Sequence, residues 1–461
     1  MPGLRVAKGG RRWYSARRCY SVPRAVRGMA DRFGAAERRH QHIVRTAQAT
    51  AESFGFAPVH TPVLEYSSVF ERTLGAGSDV VNKELYRFLD SSQQWMTMRP
   101  EGTAGVARAL ATSGLDRAPP QKLYYSGPMF RHERPQRGRL RQFEQFGVEA
   151  VGMPHPAADV ECIQAGWAFL AALGIAGRSL QLNTLGDAPS RQAYRAALQA
   201  YFADRRAGLS EESRRRLDTN PLRILDSKDP ADAELAAAAP DYADYLTPDS
   251  HRHFDFVRHG LDALRIPFAV NTRLVRGLDY YRHTVWEVVC ADDRLGRSQA
   301  TVLAGGRYDG LAASMGGAAA LPGVGWAAGV ERLALLLDDA HMPPAPAPVP
   351  VLAIPERAAA GPSGSRSREV SSDVYLYALQ VASRVRERCA AYVVHATGPD
   401  AAVHQSLGKQ LAAVLSRDPA PARVVIVGSA EMAARQAIVR DTATHAQQVV
   451  DIDSIGAVLA Q

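Results

Sequence analysis

Apolar positions recur along this chain in two rhythms, one helical and one extended. Over Ala35–Phe54 they fall at Val44, Ala47, Ala51 and Phe54, a single stripe at helical spacing stopped by Gly55. Val59, Thr61 and Val63 then alternate as a strand around Pro62, which favours an edge. A hairpin is predicted around Ser91–Thr97, followed by a turn at Pro100 and Gly102 and a helix over Ala104–Thr112. Two strands, Lys122–Arg131 (interrupted by Gly127-Pro128) and Arg141–Ala150, flank a loop from His132 to Arg139. Ala157–Leu173 forms a helix between Pro156 and Gly174, and residues 155–260 stay mostly helical, with one amphipathic run over Ser190–Leu217 broken at Asn220–Asp226. A strand over Thr284–Val289, a glycine turn over Ala304–Gly310, and a glycine-rich strand from Gly323 into a helix ending near Leu337 follow.

Met342–Pro348 is a proline–alanine linker and marks a domain boundary. Beyond it lie a buried strand at Val349–Ile354, a loop over Pro355–Ser371, and a helix from Ser372 or Asp373 to Cys389. A strand at Tyr392–Ala396, a helix at Val403–Leu415 and a strand at Arg423–Val427 complete the pattern. Alternating strands and helices imply a small α/β domain with a largely parallel sheet.

Composition narrows the class. No apolar run reaches the roughly 18 residues of a membrane span. Four cysteines, Cys19, Cys162, Cys290 and Cys389, are too scattered for zinc or redox spacing, so reduced thiols and no thiol-held metal are expected. The net charge of +8 is misleading: of 55 basic residues, eight lie in residues 1–30, which hold no acid, and the other 47 are matched by 47 Asp and Glu. Nucleic-acid binding would therefore rest on local patches. Lys409, Arg423, Arg435 and Arg440 are candidates, with scattered surface cations as the plain alternative. The first 21 residues are Arg-rich and acid-free, the composition of a mitochondrial transit peptide, and Arg17–Ser21 resembles a matrix-protease cleavage site. This favours the mitochondrial matrix, with a cytoplasmic form from an alternative start as a second destination; a disordered basic tail is the other reading.

Chemistry gathers in four stretches. On the second strand of the basic hairpin, Phe143, Gln145, Gly147 and Glu149 share one face and Glu144, Phe146 and Val148 the other. Arg131 ends the first strand, where a guanidinium can grip a phosphate bidentately. The hairpin reads as an anion site beside a small polar one, or as a solvated turn. Glu101 and Thr103 present polar groups from a turn that opens a helix, a plain cap that can serve as a ligand site at the same time. Arg276, Asp279, Tyr280 and Tyr281 stand together in Asn271–Val289, unlike simple core. Arg332 sits in the helix after Gly323–Gly329, placed to bond Glu or to reach phosphate.

Together these stretches resemble the histidine–tRNA ligases, class II aminoacyl-tRNA synthetases, from about Val26 to the C-terminus. The class II motifs resemble the helix from Ala35 into Val59–Leu64, Gly127–Glu149, and Gly323–Leu333. The histidine-specific signatures are Leu274–Tyr281 and Ala304–Gly310. The resemblance implies an α+β catalytic domain, an antiparallel sheet flanked by helices, with a C-terminal α/β anticodon-binding domain. Residues 1–21 would be the transit peptide, 22–340 the catalytic domain with a helical insertion at about 190–260, 341–348 the linker and 349–461 the anticodon-binding domain. Carried over by position, Glu101, Gly102, Thr103 and Gln145 would bind the histidine α-ammonium end, Glu149 and Tyr281 the imidazole, and Tyr280 would line the pocket. Arg131 would hold the ATP α-phosphate and Arg332 the γ-phosphate, with Arg276 neutralising charge at the α-phosphate and Mg²⁺ bridging the phosphates. Arg134, Gln136 and Arg139 would meet the acceptor end of tRNA(His), and a homodimer is implied. Glu144 departs from the family, which usually has His there. A regulatory paralogue that binds histidine without catalysis is the rival reading, disfavoured by Arg131, Arg276, Arg332 and the C-terminal domain. Synthetases for threonine, proline or glycine should lack the Arg276–Tyr281 signature.

Overall fold

The structure, a computed structural model, describes residues 22–460 apart from 76–79, 119, 226, 228, 275–279, 296–299, 318–320, 346, 355, 358–367, 370, 395–405 and 418, and leaves out the side chains at 219, 356–357 and 368–369. Arg276 and most of its signature, and the segment 1–21, lie outside the described residues. The chain divides into two compact units, Met1–Met342 and Pro343–Gln461.

The first unit is built on an eight-stranded sheet. In chain order its strands are β1 (Ala57–Pro58), β5 (Gln121–Phe130), β6 (Gln142–Val151), β7 (Arg178–Thr184), β8 (Phe268–Val270), β9 (Arg282–Cys290), β10 (Thr301–Arg307) and β11 (Gly323–Gly329), where β2 (Leu64–Tyr66), β3 (Tyr86–Leu89) and β4 (Trp95–Met98) form a separate small sheet. The spatial order is β1-β5-β6-β11-β10-β9-β7-β8. The six central strands are antiparallel, and the short edge strands β1 and β8 pair parallel.

The sheet has two unlike faces. Phe146, Val148, Trp326, Ala328, Trp286, Leu180 and Leu182 pack under helices α1 (Gly34–Ser53), α4 (Ala157–Ala172), α8 (Pro248–Ala263) and α10 (Val330–Leu336), forming the main core. Phe169 and Trp326 stack there at 6.0 Å between centroids. The opposite face carries Gly147, Gly325 and Gly306, and these glycines leave space that other side chains fill. A Cβ on Gly325 would lie 2.1 Å from Glu149 Oε2, one on Gly147 2.4 Å from the Tyr125 hydroxyl, and one on Gly306 2.5 Å from the Tyr281 ring.

Several expectations are corrected. Val59–Val63 is not a strand; the chain leaves the main sheet at Pro58 and joins the small one at Leu64, with Thr61 O accepting from the buried Arg99 guanidinium at 2.8 Å. Gly127-Pro128 does not interrupt β5, because the pairs Gly127–Gln145 and Pro128–Glu144 keep register and Pro128 O accepts from Arg99 Nε at 2.9 Å. Ala304–Arg307 is strand rather than turn: Gly305 is squeezed between Trp286 and Trp326, so glycine there serves packing, and the turn itself is confined to the Gly310 end. Ser190–Leu217 is two helices, Ala188–Ala203 and Glu211–Thr219, because Ser210 caps the second.

In the second unit, Ala391–Val393, Val349–Ala353 and Arg423–Val427 pair parallel, with the helix Ser372–Arg386 packed on them. Gln436–Asp441 and Gln447–Asp451 add an antiparallel hairpin that the sequence reading missed, so the sheet is mixed.

Arg307, at the end of β10, is fully buried. It is paired with the equally buried Asp159 of α4, Nε to Oδ2 being 3.1 Å, and also bonds Asp309 Oδ1 at 3.0 Å and Met153 O at 3.1 Å. Removing Arg307 leaves the Asp159 carboxylate in the core without its guanidinium, with His253 Nε2 at 3.5 Å beside it. Arg307→Met should therefore cost roughly 3–5 kcal/mol of stability, read as a lowered urea midpoint; an unchanged midpoint would mean that the pair is solvated.

Candidate active site

The glycine-lined face of the sheet opens into a cleft of about 450 Å³. Glu101, Thr103, Arg131, Arg139, Gln145, Tyr280, Tyr281 and Arg332 all line it. Eight residues named from the sequence thus converge, although they come from four separate stretches of chain.

The polar end is built around Glu149, which is 1% exposed at the middle of the sheet. Its Oε1 accepts from the Thr103 hydroxyl at 2.6 Å and its Oε2 from the Tyr308 hydroxyl at 2.5 Å. Burial pushes its carboxyl up to about 8, against the pull of those hydroxyl donors. Glu101 caps helix α3 (Thr103–Ser113), accepting from Thr103 N at 2.8 Å and Ala104 N at 2.7 Å. Burial raises its carboxyl as well, and the backbone donors and Arg131 oppose the rise. Gly102 N donates to Gln145 Oε1 at 3.2 Å, and Tyr125 reaches the same oxygen at 3.4 Å. Gly102 packs against the Tyr125 ring, where a Cβ would come within 2.2 Å. Tyr280 and Tyr281 stand edge to face at 4.6 Å and close this end.

The basic end is made by arginines tied down on one side. Arg131 donates Nε to Pro100 O at 2.9 Å and lies over the Phe143 ring at 5.4 Å. Arg332 on α10 donates to Thr301 O at 2.7 Å and Gly138 O at 3.3 Å, so it joins β10 to the hairpin loop. Arg139 pairs with the buried Glu133. Glu331, beside Arg332, accepts from Glu144 N through both oxygens at 2.9 and 3.1 Å. Burial lifts its carboxyl to about 7, with the Glu144 charge adding to the rise and the Glu144 N–H and Arg32 opposing it.

Not every sequence candidate arrives here. Arg134 and Gln136 are exposed on the loop and do not line the cleft. Glu144 points away from Gln145 and Glu149, its Oε1 accepting from Ser126 at 3.2 Å. Three contributors carried no assigned role in the sequence: Tyr125, Tyr308 and Glu331. Tyr308 lay in a glycine-rich stretch already flagged, and its buried aromatic beside Arg307 was the available signal.

A family model described as Histidyl-tRNA synthetase matches residues 28–333. The histidine–tRNA ligase of Rhodospirillum rubrum is 55% identical over 313 residues, 68% of this chain and 74% of that protein. The histidine–tRNA ligase of Gluconobacter oxydans is 43% identical over 435 residues, 94% of this chain and 97% of that protein. Among solved structures, apo histidyl-tRNA synthetase of S. aureus superposes with a TM-score of 0.75 at 25% identity, covering 95% of this chain and all of that one.

Glu149 holds a proton in the folded chain that the unfolded chain releases between its ordinary value of 4.5 and about 8. Across that window the folded state binds more protons, so stability should fall as pH rises. Glu331 contributes the same sign up to about 7. Glu149→Gln should flatten the urea midpoint against pH over roughly pH 5 to 8; equal slopes in the two proteins would mean that Glu149 is ionised throughout.

Proposed function

The chain belongs to the histidyl-tRNA synthetase family, and on that premise we propose how its cleft divides the work. The protein is a histidine–tRNA ligase: it activates L-histidine with ATP to histidyl-adenylate, releasing diphosphate, and transfers the histidyl group to the 3′ end of tRNA(His), releasing AMP.

The polar end takes the amino acid. Glu101 supplies a carboxylate for the α-ammonium, and Thr103, whose proton is spent on Glu149, supplies a lone pair. The contacts to the Gln145 oxygen are long, and the N–H of a cation would displace them. Glu149 and Tyr281 flank the imidazole, one able to accept and the other to donate or accept. Arg131 and Arg332 take the phosphates at the basic end. Arg276 carries the charge that develops at the α-phosphate as the histidine carboxylate attacks; such preorganised donors contribute on the order of 3 kcal/mol each.

Mg²⁺ fits as an ion carried by the nucleotide. Among the described residues no three metal-ligating side chains converge, and the cleft wall offers the carboxylate of Glu287. This suits an ion that keeps its water and phosphate ligands and takes one or two carboxylates. Arg134, Gln136 and Arg139 face the tRNA acceptor end from the hairpin loop, and the second unit serves the anticodon. The acid-free segment 1–21 directs the protein to the mitochondrial matrix.

The assembly is a homodimer. Leu64, Tyr66, Tyr86, Phe88, Met96 and Met98 share one face of the small sheet by register, and Leu64, Tyr66 and Phe88 are each more than 40% exposed. A largely apolar sheet face that leaves Leu64, Tyr66 and Phe88 exposed suits a second copy.

The observation that carries the reading of the site is the convergence of Glu101, Thr103, Gln145, Arg131 and Arg332 on one cleft, with Glu149 bonded behind Thr103. Histidine-dependent exchange of pyrophosphate into ATP tests it. Arg276→Ala should reduce exchange on the order of a hundredfold or more with folding intact, and normal exchange would remove Arg276 from the mechanism. Tyr66→Glu with Phe88→Glu should convert a sedimenting dimer to monomer; a monomeric parent chain would discard the dimer.

A further inference from the structure

Ahead of α1 the chain lies across the base of the basic hairpin. Gly28 O accepts from Arg141 N at 2.8 Å and Gln142 N at 3.3 Å, and Met29 N closes a turn on Val26 O at 2.9 Å. The fit leaves no room for a side chain: Gly28 has φ +87°, and a Cβ there would lie 2.8 Å from Arg141 Cγ and 3.0 Å from Pro135 Cγ. Four residues on, Arg32 donates Nε to Glu37 of α1 at 3.1 Å and reaches Glu331 Oε1 with Nη1 at 3.4 Å. This strap therefore touches both supports of the basic end, the β5–β6 hairpin and helix α10.

Glu331 poses an electrostatic difficulty for a phosphate site. It lines the cleft next to Arg332, and its side chain is only 9% exposed. Its oxygens hold Glu144 N, so its place cannot be vacated without loosening β6 from α10. Ionised, it sets a negative charge beside the ground that a triphosphate would occupy, and the Glu144 carboxylate lies near enough to add to it. Arg332 spends its nearer donors on Thr301 O and Gly138 O. Among the described residues, Arg32 reaches Glu331 from outside the cleft, and it is itself steadied by Glu37.

We propose that Arg32 is a positioning and charge-compensating residue for ATP: it neutralises Glu331 and so lets the basic end accept a triphosphate while Glu331 keeps β6 in register with α10. The inference rests on the nucleotide reading of the cleft. It gives the strap a part in the first step of the reaction without contact with substrate.

Pyrophosphate exchange in the full-length protein tests it, with ATP and histidine varied separately. Arg32→Ala should raise KM for ATP on the order of tenfold and leave KM for histidine and kcat near those of the parent. Arg32→Lys should restore most of the loss, since it returns the charge. Adding Glu331→Gln to Arg32→Ala should also recover ATP affinity, because the amide oxygen still accepts from Glu144 N while the charge is gone. An unchanged KM for ATP in Arg32→Ala overturns the inference. So does a double variant whose losses simply multiply, or a rise in both KM values together with a lowered melting temperature. Arg332→Ala is the control. If it raises KM for ATP and Arg32→Ala does not, the cleft reading stands and the inference fails; if neither does, the cleft is not the nucleotide site and both fail.

Discussion

The polar part of the cleft is built around one buried carboxyl group. Glu149 sits within an eight-stranded sheet and is almost wholly buried, so the protein supplies its hydrogen bonds. Two hydroxyls do so from elements far apart in sequence, Thr103 at the mouth of α3 and Tyr308 after β10. Each donor brings its own support. Thr103 is held because Glu101 caps the helix on which it sits, and Tyr308 is held because Arg307 before it is locked to Asp159. Room for the whole arrangement comes from absent side chains at Gly147, Gly306 and Gly325. The sheet is thus a wall of ordinary apolar packing on one side and a socket on the other.

This division explains what could be read in advance. Period-two alternation put Gln145 and Glu149 on one face and Phe146 and Val148 on the other, and the ladders keep that assignment. Helix limits came within a few residues at Ala157–Ala172, where Pro156 and Gly174 punctuate the chain. The local pattern failed where distant packing decided. Glycines at 305 and 306 suggested a turn, yet they belong to a strand pressed against tryptophans from its neighbours. Pro128 suggested a break, yet its carbonyl is taken by an arginine 29 residues upstream. Tyr125 and Tyr308 gave no sign of the hydrogen bonds they make, since those depend on which strands become neighbours.

The basic end follows a different rule. Its arginines are anchored by backbone carbonyls: Arg131 by Pro100, and Arg332 by Thr301 and Gly138. A tethered guanidinium has already surrendered much of its side-chain freedom, so less is lost when an anion arrives. The same tethers make the hairpin loop and helix α10 report on each other, because one arginine touches both.

The dry pair between Arg307 and Asp159 has an evolutionary consequence. Neither residue contributes to any surface, and exchanging either one alone takes from the other its main buried partner, leaving Arg307 with Asp309 at 3.0 Å or Asp159 with His253 at 3.5 Å. Drift at these two positions must therefore pass through a sharply disfavoured intermediate, and the two should change in concert or not at all. A sheet position that carries Tyr308 to its carboxyl partner is in this way insulated from gradual change, although the arginine beside it never meets a substrate.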